Sequence, residues 1–335
     1  MTSLLVTGCA GFIGSQFARY WTQTHPDDEV VGLDLLTYAG NVHNLDDVDI
    51  DCVQGDICDL SLVRDVLEKH QITHLVHFAA ESHNSLAVLD PTRFFKTNVI
   101  GTQTLLEAAR LHEVVRFHHI STCEVYGDMS LDDDGAFREG DAYRPRTPYS
   151  ASKAGADHAV RAYYETFGLP VTITNCCNNY GPYQFPEKVI PLFATYALSG
   201  KRLPIYQSSQ NRREWIHVSD HCKAIDAVLN HGRVGETYNV GTACEASVDQ
   251  IAGLVLTALG MRQDEDTVEY VADRPGHDRR YLLDSSKIRD ELGWMPERSL
   301  VAGVMESVVW YSENEKWWRP LIGRSPVTEG TLAQR

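Results

Sequence analysis

A glycine-rich turn near the start of the chain constrains the fold more than any other feature. Residues 3–7 (SLLVT) read as a short apolar strand. Thr7-Gly8-Cys9-Ala10-Gly11-Phe12-Ile13-Gly14 then leads into a helix expected over 15–24, which His25-Pro26 ends. Glycines at 8, 11 and 14 permit a tight turn and let the backbone approach a pyrophosphate seated on the helix N-terminus, where Phe12 and Ile13 lie. This spacing alone fits a turn without ligand equally well. Asp34 adds the second half of the signal: it lies 20 residues beyond Gly14, at the end of the next expected strand, 29–34. A carboxylate there bonds a ribose 2′-hydroxyl and repels a 2′-phosphate, so the combination points to a dinucleotide, and to NAD over NADP.

Strand and helix patterns keep alternating downstream. Strands are expected at 50–54, 73–80, 115–121 and 170–175, with helices at 60–70, within 92–111, and over 150–167. This alternation implies an α/β fold, a doubly wound Rossmann-type parallel sheet with helices on both faces. After Tyr180 the pattern is broken by Gly181-Pro182, Pro186, Pro191, Gly200 and Pro204. A smaller C-terminal α/β lobe is expected there. The amphipathic helix at 219–229 and the strand at 236–240 return the chain to the first body. The expected division is 1–180 as the NAD-binding domain, rejoined at about 215–242, with 181–214 and 243–321 as the second lobe and 322–335 as a tail.

Charge and cysteine usage narrow the function class. Forty-six acidic against 30 basic residues give a formal charge of −16. That field repels nucleic acid and anionic membranes, although a few local cations still suffice for a small phosphate ligand. The chain has no 18-residue apolar run, and its N-terminus lacks the basic region of a signal peptide, so a cytoplasmic location without membrane contact is expected. Its eight cysteines include no CxxC pair and are expected as free thiols. His74-x-x-His77 straddles a strand and His217-x-x-x-His221 lacks the glutamate of a zincin, so no metal site is expected.

Asp56-Ile57 follow the third strand and Phe78-Ala79-Ala80-Glu81-Ser82 the fourth, at the strand ends where such sheets bind ligands. Asp56 fits a helix cap equally well. Tyr149-Ser150-Ala151-Ser152-Lys153 places a phenol and an ammonium on one helix face. The ammonium and a nicotinamide charge are expected to lower the Tyr149 pKa toward neutrality, so that it accepts a hydroxyl proton as hydride leaves the same carbon.

The Gly8/Gly11/Gly14 fingerprint with Tyr149-x-x-x-Lys153 resembles the extended short-chain dehydrogenase/reductases. The strings LTYAGN (36–41), HFAAESH (77–83), EVYGD (124–128), YSASKAGAD (149–157), NNYGPYQFPEKVIPL (178–192), DRPGHDRRY (273–281) and NEKWWRPL (314–321) narrow the resemblance to the dTDP-glucose 4,6-dehydratases. It implies a homodimer with tightly held NAD, acting on a nucleotide-diphosphate hexose carried by the second lobe. Thr122 would hold the sugar 4-hydroxyl, Tyr149 and Lys153 would support oxidation at C4, and Glu124 would take the C5 proton. The same resemblance assigns Thr37, Thr97, Ser82 and Asn179 to the cofactor, beside Asp34, Asp56, Ile57 and Phe78 to Ala80. To the substrate it assigns Ser82, Thr122, Asn178, Lys188, Val189 and Arg213, with Asn239, Arg274 and His277 nearby and Pro204-Ile205-Tyr206 over the nucleobase.

Three departures stand out. The family reads Thr-Asp-Glu where this chain has Thr122-Cys123-Glu124, and the missing aspartate is the group that protonates the leaving C6 hydroxyl. Cys123 fits a substitute acid, since an ordinary thiol is protonated at pH 7. It also fits altered chemistry, because UDP-N-acetylglucosamine 5,6-dehydratase and GDP-mannose 3,5-epimerase place a cysteine in this region, and it fits a sugar-nucleotide-binding paralogue without turnover. After His83 the family has Val-Asp-Arg-Ser, replaced here by Asn84-Ser85-Leu86-Ala87; Gln207-Ser208-Ser209 replaces a Gly-Asp-Gly turn.

Overall fold

The computed structural model describes residues 2–273 and 278–326. Arg274, His277 and the tail beyond 326 lie outside the described residues. In chain order the strands are β1 (Ser3–Thr7), β2 (Glu29–Asp34), β3 (Asp51–Gln54), β4 (His74–His77), β5 (Arg116–Thr122), β6 (Val171–Cys176), β7 (Asn178–Tyr180), β8 (Leu203–Tyr206), β9 (Arg212–His217), β10 (Thr237–Val240), β11 (Glu245–Ser247) and β12 (Val268–Val271). Seven of them form one sheet in the order β3-β2-β1-β4-β5-β6-β10, parallel throughout. Successive strands are added outward from β1 in both directions, so the topological switch lies between β1 and β4, and the crevice outside their carboxyl ends is the ligand position of such sheets.

Period-2 alternation divides the core. Leu5, Leu75, Phe117 and Ile173 pack on one face with Val63, Leu67, Leu105 and Val160, from the helices Leu60–Lys69, Thr102–His112 and Pro148–Phe167. Leu4, Val6, Val76 and Ile120 pack on the other with Phe17, Trp21, Ile225 and Leu229, from Phe12–Thr24 and Val218–His231. A separate core gathers Ile190, Phe193, Ile251, Val255, Val304 and Val308 from the helices Val189–Leu198, Val248–Ala258 and Leu300–Glu313. Around it β9 pairs antiparallel with β11 and parallel with β7, while β8 pairs parallel with β12.

Two expected elements differ. The fourth strand ends at His77 instead of residue 80: Phe78 N–H makes a last bond to Thr7 O at 3.1 Å, and the chain then passes close against Gly8. The helix expected within 92–111 is three pieces: Pro91–Phe94, a π turn over Phe95–Gly101, and Thr102–His112. The π turn lets the buried Asn98 side chain reach the backbone of Glu81, accepting from its N–H at 2.9 Å and donating to its carbonyl at 3.0 Å. All eight cysteines are free. Among the described residues no helix is long and apolar enough to cross a membrane.

Candidate active site

The glycine loop is packed to the limit of what lacks a side chain. Gly8 has φ 71°, and a Cβ there would lie 2.7 Å from Ala79 N; at Gly14 it would lie 2.2 Å from Gly8 O. Gly11 heads the helix Phe12–Thr24 with no side-chain cap, so the first-turn N–H groups are left for an anion. Asp34 accepts from Ala10 N–H at 3.0 Å with one oxygen and from Leu36 N–H at 2.7 Å with the other. Each oxygen keeps a lone pair for a ribose hydroxyl, while burial pushes the carboxyl pKa up. This cradle fits NAD. Asp56 is no helix cap: it accepts from Cys58 N–H at 2.9 Å, and Asp59 caps Leu60–Lys69 by accepting from Leu62 N–H.

The reacting groups meet at the carboxyl end of β5. Thr122 ends the strand, accepts from Glu124 N–H at 3.3 Å, and heads the short turn Cys123–Val125. Beside it lies the phenol of Tyr149, in the first turn of Pro148–Phe167, on which the Thr122 hydroxyl exerts a lowering pull. Thr147 and Ser150 form a capping box at that helix start, which fixes where Tyr149 begins. Cys123 is 1% exposed; burial first, and then Glu124, push its thiol pKa well up, so it carries its proton.

Lys153 is held deeper than the helix face alone implied. Its ammonium donates to Ile120 O at 2.7 Å and lies 3.4 Å from His119 Nε2. The Tyr149 phenol is pushed well above its ordinary value, by burial first and then by Glu124 and Cys176. The expected drop toward neutrality is therefore not produced by the protein's own groups, because burial outweighs them; a bound nicotinamide contributes the further positive charge. Burial also pushes Lys153 down to about 8, opposed by Asp157, whose own carboxyl burial raises to about 6 against the pull of Lys153. Asp157 accepts from Ser121 Oγ at 2.8 Å and lies 3.3 Å from His119. Asp157→Asn removes a negative charge that favours the ammonium, so the alkaline fall in turnover, set by Lys153 near about 8, should move to lower pH. A pH profile of kcat checks this, and an unmoved alkaline limb contradicts it.

The family model described as GDP-mannose 4,6 dehydratase matches residues 5–307. A dTDP-glucose 4,6-dehydratase of Mycobacterium tuberculosis is 49% identical over 321 residues, covering 95% of this chain and 96% of the relative. The dTDP-glucose 4,6-dehydratase DesIV of Streptomyces venezuelae, solved with NAD and TYD bound, superposes with a TM-score of 0.91 at 49% identity, over 96% of this chain and 100% of that one. The Bacillus anthracis enzyme of the same name, solved with NAD, gives a TM-score of 0.89 at 43% identity, over 96% and 100% of the two chains. This chain belongs to the GDP-mannose 4,6 dehydratase family of extended short-chain dehydrogenase/reductases.

Within that family fold, the expected site residues fall on segments that follow the sheet strands and on elements around the second core. Phe78, Ala79 and Ala80 follow β4 against Gly8; Thr37 lies on the loop after Asp34, and Thr97 on the π turn. Ser82 and Lys188 are joined, the lysine donating to Ser82 O at 3.0 Å, with Val189 opening the next helix. Asn178 accepts from Tyr281 OH at 2.7 Å, and Asn179 lies 2.8 Å from His221. Arg213 is buried, bonds the carbonyls of Arg212 and Asp278, and lies 4.9 Å over the Tyr281 ring. Pro204 and Tyr206 share one face of β8.

Two expected contacts are corrected. Asn239 is fully buried, accepting from Tyr126 OH at 2.9 Å and donating to Phe137 O at 2.9 Å, so its amide serves the fold and not a diphosphate. Ile205 points into the second core and has no side-chain face for a nucleobase. Ile57 packs its side chain in the first core, against Gly101, which leaves only its backbone for the expected cofactor contact. Residues that the sequence reading passed over include Asn98, which bonds Ser152 at 2.8 Å, and Glu187, which accepts from Tyr38 OH at 2.9 Å. Asp157, four residues beyond Lys153 on the same helix face, carried a legible signal. Asn98 carried none, since its reach depends on the π turn.

Proposed function

We propose that the chain is an NAD-dependent dTDP-glucose 4,6-dehydratase, forming the 4-keto-6-deoxy sugar nucleotide. The observation that carries this reading is the convergence of the Tyr149 phenol, the Thr122 hydroxyl and the Glu124 turn at the end of β5, beside the glycine cradle. Relatives of 43–49% identity that bear this activity in their names support the choice of substrate. When bound, NAD stores the hydride between C4 and C6, so no net oxidation results. Thr122 orients the 4-hydroxyl and Tyr149 takes its proton. The C4 ketone acidifies the C5 hydrogen, which Glu124 accepts as a proton and returns to C5 once C6 has been reduced, in exchange with solvent. Cys123 gives its thiol proton to the C6 oxygen, which leaves as water. The proton gained by Tyr149 balances the one Cys123 gives up. Lys188 and Arg213 offer cations to the diphosphate, a local provision that an acidic chain requires.

Incubation with dTDP-glucose tests the reading. The alkaline 4-keto chromophore should develop, and its absence at high enzyme concentration contradicts turnover. Cys123→Asp should raise kcat by about tenfold, because a carboxylic acid is the stronger hydrogen-bond donor and proton source. Unchanged or lower turnover counts against the thiol as a weak substitute acid. A homodimer in the cytosol completes the reading. The dimer is supported by Phe95, Ile100, Leu111 and Phe167, all more than 40% exposed on the neighbouring segments 95–112 and 148–167. Light scattering should return twice the chain mass, and a monomer at micromolar concentration contradicts the assembly.

A further inference from the structure

Glu124 does not hold its carboxylate alone. Asn84, the first residue of the short helix Asn84–Leu89, donates from Nδ2 to Glu124 Oε2 at 3.1 Å and Oε1 at 3.4 Å. The other end of the same amide is also engaged: Thr147 Oγ1 donates to Asn84 Oδ1 at 3.0 Å. An ionised carboxylate only accepts, so the amide nitrogen must face Glu124 and the amide oxygen the threonine hydroxyl. The side chain has one satisfied orientation. Thr147 is itself 4% exposed and caps the helix that carries Tyr149 and Lys153. A continuous line of hydrogen bonds therefore runs from Glu124 through Asn84 to the start of the Tyr149 helix. Among the described residues, no other side-chain donor reaches the Glu124 carboxylate. Where the family pattern has valine, an apolar side chain with no donor, this chain has placed an amide.

We propose that Asn84 is a positioning residue that orients Glu124 for removal of the C5 proton and ties it to the helix of Tyr149. This rests on the dehydratase reading of the site. Both Glu124 oxygens are drawn toward one amide nitrogen, which fixes the carboxylate plane while a lone pair on each oxygen stays available to the substrate. The contact has this importance because a base must stand within hydrogen-bond reach of its proton, and a displacement of about 1 Å costs roughly a hundredfold in rate. Tyr149 acts on the 4-hydroxyl before Glu124 acts at C5, so loosening Asn84 slows the second event and spares the first.

The test compares Asn84→Leu, similar in size without the amide, and Asn84→Gln, which retains it. Each is given dTDP-glucose in deuterated water, and kcat, KM, deuterium at C5 and the near-ultraviolet absorbance of reduced nicotinamide are followed. Asn84→Leu should lose about 10- to 100-fold in kcat with KM within about twofold, and reduced nicotinamide should accumulate, because oxidation at C4 outruns proton removal. Asn84→Gln should recover most of the loss. If Asn84→Leu does not yield folded protein, Asn84→Ser, too short to reach Glu124, takes its place with the same expectation. A variant with parental kcat overturns the proposal. So does one that loses turnover together with the reduced-nicotinamide signal, because that pattern belongs to a collapsed site. If the parent chain itself gives neither reduced nicotinamide nor C5 deuterium, the dehydratase reading fails and this role with it; failure of the variants alone leaves that reading standing.

Discussion

Tyr149→Phe should lower turnover of dTDP-glucose by about a thousandfold or more and leave bound NAD in place, since an acid–base group contributes roughly 10²–10⁴-fold. The substitution removes one oxygen from a ring whose neighbours are otherwise retained: Phe94 still meets it edge-on, with ring centroids 6.4 Å apart, and Thr147 still caps the helix. The lost interaction is the phenol's, beside Thr122. Because burial and Glu124 hold the Tyr149 proton tightly, the phenolic form dominates until cofactor charge is present, and removal of the hydroxyl leaves the 4-hydroxyl proton without an acceptor. Thr122 and Glu124 do not replace it: Thr122 is a poor base, and Asn84 holds Glu124 for the C5 proton instead. Single-turnover absorbance of reduced nicotinamide, with NAD content measured on the same sample, checks the prediction. Parental rates contradict it.

Gly14→Ala should abolish NAD retention. The new Cβ would lie 2.2 Å from Gly8 O and 2.9 Å from Gly8 C, both backbone atoms of the same turn, so no side-chain rearrangement relieves the clash. The loop has to open, and with it the row of N–H groups at the head of Phe12–Thr24. Overpacking of this kind costs about 1–3 kcal/mol in stability, and more where backbone must move. NAD affinity should fall by at least about a hundredfold, since the same displacement removes the anion-binding geometry. Gly140→Ala is the control, because a Cβ there meets nothing within 4 Å. NAD released from denatured protein should drop to background for the first variant and match the parent for the second.

The parallel sheet was legible because β1 and β2 are short apolar runs, because the later strands alternate with helix-length segments, and because the Gly8–Gly14 turn joins a strand to a helix. Asp34, Thr122, Tyr149 and Lys153 were legible for a related reason: their spacing along strand ends and one helix face is local information. What escaped the sequence depends on contacts between segments far apart in the chain. Asn239 looks available on a strand, yet Tyr126 and Phe137 cross from over a hundred residues away to take up its amide. Ile205 alternates into the second core, and its facing depends on the pairing of β8 with β12. The π turn at Phe95–Gly101 has no local pattern that separates it from an α-helix; it exists because Asn98 bonds the backbone of Glu81. The push of burial and of Glu124 on the Tyr149 phenol was not legible either, because it comes from packing around the ring, whereas the expectation counted only Lys153 and a nicotinamide charge.

The most direct test of the account is proton NMR of the product formed from dTDP-glucose in deuterated water. A C4 ketone retained in the product, proton removal at C5 by Glu124 and loss of water at C6 require a new C6 methyl resonance and deuterium at C5. A vinylic C5–C6 signal, a C6 hydroxymethyl group retained beside deuterated C5, or unchanged dTDP-glucose would each contradict it.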